Sequence, residues 1–158
     1  MKKRPVIGLL GLMLELYDKS NPELRPEQNL FAKKLAQILS QYGDVVFSDI
    51  KNTRAGVAEA VDEFISRKAD LIITVHFSYS PSLIALPELL RWTGPIVMWN
   101  TQRITGVGPD FGNLELLQNH GMHGVQDLAN TLNRVGRDYD VVTGHFEDPQ
   151  VLVQLQQW

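Results

Sequence analysis

Residues 5–14 read PVIGLLGLML, apolar at nearly every position and without a charge. A strand with apolar side chains on both alternating sets has no face to give to water, so it must be covered on both sides. Such a strand belongs at the centre of a parallel sheet. Outward from it, residues 26–42 place Phe31, Leu35, Ile38, Leu39 and Tyr42 at spacings of four, three, one and three. These line one helix face, and Gly43 supplies a stop.

The same alternation then repeats. Residues 44–50 (DVVFSDI) read as a second strand, followed by a helix with the buried stripe Val57, Val61, Phe64 and Ile65, for which Asn52 or Thr53 is a cap. Residues 71–77 (LIITVHF) form the third strand, the richest in β-branched side chains. Ser80-Pro81 reads as the start of a helix carrying Leu83, Ile84, Leu89 and Leu90, which Pro87 bends and Gly94 ends. Residues 95–99 are strand four. A glycine-rich stretch, 106–112, leads into a long helical region, 113–134, whose later stripe is Val125, Leu128, Leu132 and Val135 and whose stop is Gly136. Residues 140–143 are strand five, and Pro149 opens a last helix running to Trp158 with no stop signal. Five β-α units predict a three-layer, doubly wound parallel sheet of flavodoxin-like type, in the order 2-1-3-4-5 with right-handed crossovers.

The chain has 158 residues, enough for one domain that buries about 70% of its unfolded surface. With 44% hydrophobic residues, 21% charged and a net charge of -3, it is neither disordered nor a polybasic nucleic-acid binder. It has no cysteine, which excludes disulfides, thiolate metal sites and cysteine nucleophiles. Lys2, Lys3 and Arg4 before an apolar run imitate a secretory signal, but Glu15 to Lys19 stand where a small-residue cleavage site belongs. The expectation is a cytoplasmic protein. No run reaches the ~20 apolar residues that a membrane-spanning helix requires.

In such a sheet, ligands bind beyond the carboxyl ends of the strands, where the strand order reverses. The residues placed there are Glu15 and Tyr17; His76, Ser78 and Tyr79; Asn100, Thr101, Gln102 and Arg103; and His145, Glu147 and Asp148. His120 and His123 follow the glycine-rich stretch. Loops are polar by default, so each of these has an ordinary role as a solvated turn residue beside the functional one. His120 and His123, three apart on a helix, face the same way and suit a metal pair, yet no carboxylate shares their turn. Glu15 ends an apolar strand, where burial would make it a proton shuttle. Gly8 and Gly11 lack the spacing of a dinucleotide fingerprint, and no phosphate-binding loop or nucleophile elbow occurs. Residues 18–22 lack the hydroxyls and glycines a flavin phosphate needs, so an electron carrier has only fold analogy behind it.

Four segments occur in a telling order: residues 11–17 ending in Leu16-Tyr17; Trp99-Asn100-Thr101-Gln102; residues 113–124 ending in His123-Gly124; and Gly144-His145-Phe146-Glu147-Asp148. Together they resemble the amino-terminal domain of the L-arabinose isomerase and L-fucose isomerase family of aldose-ketose isomerases, over nearly the whole chain. The resemblance implies a flavodoxin-like first domain of a longer, multidomain chain, with no catalytic residue, metal ligand or cofactor of its own. Manganese and the catalytic glutamates are expected in later domains of the full-length enzyme, and the missing stop at Trp158 fits that expectation. It further implies a homo-oligomer in which this domain closes over a neighbouring subunit's site, so that the sugar is shared between subunits. By position, Tyr17 with Glu15 and Leu16 beside it, Gln102, His120 and His123 then contact the sugar, while the proton moves between adjacent carbons through an enediol elsewhere. The family's Gly-Ser-Gln before Leu-Tyr is replaced here by residues 11–15, and His120 takes the place of its glutamine, so the sugar itself stays open. A stand-alone ligand-binding or regulatory domain without catalysis is the alternative.

Overall fold

The computed structural model describes residues 3–158. Along the chain run β1 (Val6–Leu12), α1 (Tyr17–Ser20), α2 (Leu24–Leu39), β2 (Asp44–Val46), α3 (Arg54–Ser66), β3 (Leu71–His76), a 3-10 turn (Ser82–Ile84), α4 (Leu86–Arg91), β4 (Ile96–Asn100), α5 (Asn113–Gln118), α6 (Gly121–Arg134), β5 (Asp140–Thr143) and α7 (Pro149–Gln156). The five strands are all parallel in the order β2-β1-β3-β4-β5. This is the flavodoxin-like arrangement expected from the sequence. Among the described residues no helix is long and apolar enough to cross a membrane.

Side-chain alternation splits the core into two layers. Ile7, Leu9, Leu71, Ile73, Val75, Val97 and Trp99 turn to one face, where they meet Leu24, Phe31 and Leu35 of α2 and Val151 and Leu155 of α7. Leu10, Leu12, Ile72, Ile96 and Met98 turn to the other and meet Val57, Val61 and Phe64 of α3, Leu89 of α4, and Val125, Leu128 and Leu132 of α6. β1 and β3 stay in register from Ile7 opposite Leu71 to Leu12 opposite His76, which carries the sheet's centre to its carboxyl edge.

Several elements differ from the sequence reading. β2 has three residues; the chain then leaves the ladder and returns at Lys51, whose N–H donates to the Gly11 carbonyl at 2.8 Å, while the Asn29 side chain accepts from the Ile50 N–H. α2 starts at Leu24, so Pro26 falls in a first turn whose N–H groups have no intrahelical partner to lose. Ser80 is no cap: Pro81 is extended, and the N–H of Ser82 donates instead to Asp127 of α6 at 2.8 Å. Pro87 lies in the first turn of α4 and bends nothing. Ile65 and Val135, assigned to stripes, are exposed, as are Leu83 and Leu90, while Phe64, Leu89 and Leu132 fill the sheet-facing positions.

The long helical region is two helices. Leu114 and Leu117 of α5 pack on the α2 face, whereas the stripe of α6 packs on the opposite one. A straight helix cannot touch both faces of a sheet, so the chain must break where it crosses the edge. It breaks at Asn119-His120. The Asn119 side chain holds the break, accepting from the N–H groups of Arg103 (3.1 Å) and Ile104 (3.2 Å) and donating to the Glu115 carbonyl (2.7 Å).

Candidate functional site

This crossing sets the site. His120 precedes and His123 belongs to the first turn of α6, above the carboxyl end of β3. Their rings stand 4.5 Å apart, and Tyr79, from the loop after β3, lies 6.4 Å from His120. Burial, with a second push from His123, holds the His120 imidazole below its ordinary pKa. A neutral imidazole offers one donor and one acceptor, the pair of functions that a hydroxyl can match on both sides. His120 Nδ1 is buried without a hydrogen-bond partner among the described residues, and His123 is exposed.

His76, the last residue of β3, is enclosed beneath them. It is 3% exposed, and burial depresses its pKa to about 4 against a weaker upward pull from Asp127. It is therefore neutral at pH 7.

Gln102 lies further along the edge, exposed, with its amide donating to the Ile104 carbonyl at 3.1 Å. It lines a cleft of about 310 Å³ with Asn100, Thr101, Met122, Thr143 and His145. His145 Nδ1 accepts from the Glu147 N–H (3.3 Å), which leaves Nε2–H to donate to the Arg103 carbonyl (3.4 Å). That makes His145 a loop tie. Beyond β1, Glu15 and Leu16 are exposed, and Tyr17 is half-buried against the α2-side core. Glu15 thus lacks the burial a proton-shuttling carboxyl needs. The structure brings His120 and His123 together; Gln102 shares its cleft with Met122, which lies between them in the chain, and the Glu15–Leu16–Tyr17 segment follows β1, the strand paired with β3.

Two residues that hold this rim are absent from the sequence reading. Gln28, fully buried in α2, donates its amide to the carbonyls of Phe77 and Gln118 (2.8 Å to the latter). Glu27 accepts from the Gln118 amide and from Arg103 (3.4 Å). They clamp α2, the end of β3, α5 and the loop after β4 to one another. The available signal is a glutamine within the apolar stripe Leu24, Phe31, Leu35 of α2.

Manganese does not fit the donors present. Among the described residues no group of three or more His, Cys, Asp or Glu side chains converges, and the tilted histidine pair has no carboxylate beside it.

Residues 16–158 match the family model of the L-arabinose isomerase N-terminal domain. The chain belongs to this family. No curated protein matches it. Within the arabinose isomerase domain family, the matched stretch contains Tyr17, Gln102, His120 and His123 and begins just after the departing residues 11–15.

Proposed function

We propose that this chain is the substrate-covering and oligomer-forming domain of a divalent-metal-dependent aldose-ketose isomerase, acting on L-arabinose, L-fucose or a related sugar. The catalytic glutamates and metal ligands then belong to further domains, and a neighbouring subunit shares the sugar. Family membership carries this reading. The rim chemistry supports it: imidazoles, a phenol and a carboxamide suit a polyhydroxylated ligand. Tyr17, Gln102, His120 and His123 grip hydroxyls and exclude water, and the rate advantage they supply is orientation.

The test is the full-length gene product loaded with manganese and offered a panel of aldoses. Conversion of one of them, lowered by His123→Ala and Tyr17→Phe with an unchanged melting temperature, is the expected outcome. A folded, metal-loaded protein that converts none, or catalysis by the 158-residue chain alone, overturns the reading. Sedimentation of the same full-length protein as a monomer removes the shared-site part.

A further inference from the structure

Gly121 and Gly124 lie three apart in α6 and therefore share one face of the helix. A Cβ on Gly121 would stand 2.1 Å from the His76 carbonyl oxygen, and one on Gly124 would stand 2.3 Å from His76 Cδ2. Neither separation is possible for real atoms, so only glycine lets the helix backbone rest directly on this residue. The imidazole beneath is enclosed, and neither of its ring nitrogens has a hydrogen-bond partner among the described residues. Contact, not hydrogen bonding, is what His76 offers to the helix above it. His123 stands one residue before Gly124, about 100° around the helix from it, and His120 is the residue that leads into Gly121, so whatever fixes the glycine face fixes where both rings begin.

The structure assigns a positioning role to His76: its flat, buried ring is the seat that holds the first turn of α6, and with it the His120–His123 pair, at the sheet edge. Its bearing on sugar binding rests on the function proposed above; the placement of the pair does not. Asp127, one turn beyond Gly124, borders the same seat, and its carboxylate is engaged by the Ser82 N–H at 2.8 Å. Among the described residues no such side-chain tether holds His120 or His123 themselves, so the geometry of the pair depends on the fit below the glycines.

The experiment uses the full-length protein with four substitutions: Gly124→Ala, His76→Ala, the two combined, and His76→Phe. Crystal structures read the ring separation of the pair, and steady-state kinetics with the converted aldose read KM apart from kcat. Gly124→Ala is expected to shift the pair and to raise KM about tenfold with kcat changed less than about twofold. Combining it with His76→Ala makes room for the new methyl, so the double variant is expected to do better than the product of the two single effects. His76→Phe, which keeps a flat ring, retains the pair and the KM, whereas His76→Ala alone does not. Independent, multiplicative effects, or a pair left in place by Gly124→Ala and His76→Ala alike, overturn the assignment. Should Gly124→Ala fail to fold, the contrast between His76→Phe and His76→Ala decides alone. Rings that move while KM stays constant uphold the seat and sink the sugar-gripping reading instead.

Discussion

At the scale of one residue, His76 couples this domain to pH. Its folded-state pKa of about 4 lies below the ordinary 6.5, so the unfolded chain takes up a proton that the folded one refuses. Stability is therefore full above about pH 6.5, falls as the pH drops from there, and stops falling through this group below about pH 4. The depression corresponds to about 3 kcal/mol. Urea unfolding between pH 7 and 4 is expected to show that slope, and His76→Phe to remove its share. Gln28 offers a second test. Its truncation to alanine strips the partner from one buried and one half-buried carbonyl, an expected loss of about 2 kcal/mol in the same measurement. Neither role follows from sequence. A histidine ending an apolar strand and a glutamine in an apolar stripe are visible as anomalies, but what they touch comes from residues far along the chain: Gly124 for one, Phe77 and Gln118 for the other.

Among the elements, those with local causes were legible. The Thr53 hydroxyl accepts from the Gly56 N–H at 3.1 Å as a cap should, and Gly136 at the end of α6 takes the positive φ of 69° that a glycine stop provides. Thr53→Ala is expected to lower unfolding free energy by about 1 kcal/mol, read by thermal or chemical denaturation. The turn after β3 is different, because its cap comes from Asp127 rather than from the adjacent Ser80. Asp127→Ala is expected to cost about 1–2 kcal/mol and to speed amide exchange at Ser82 selectively; unchanged exchange there would discount the cap. The break between α5 and α6 was equally hidden. Residues 113–134 show continuous helical character, and only the need to cover both faces of one sheet interrupts it at Asn119.

At the scale of the whole molecule, the two histidines, Tyr79 and Gln102 share one edge but form no cation cage. Manganese added to the 158-residue chain is expected to leave its melting temperature unchanged, since a resident site filled at a hundred times its Kd would stabilise by about 2.7 kcal/mol. A clear upward shift would demand a metal site that the donor geometry does not provide. The sequence by itself determined the sheet: the apolar run at residues 5–14, the recurring strand-helix alternation and the ordered motifs led to five parallel strands in the right order and to the arabinose isomerase family. These depend on periodicity and local propensity, which neighbouring residues carry. The tertiary structure alone decided that α5 and α6 part over the sheet edge, that glycines at 121 and 124 rest on His76, and that Glu27 and Gln28 clamp the rim. Each of those is a contact between distant segments, set by which surfaces must be covered once the sheet has formed.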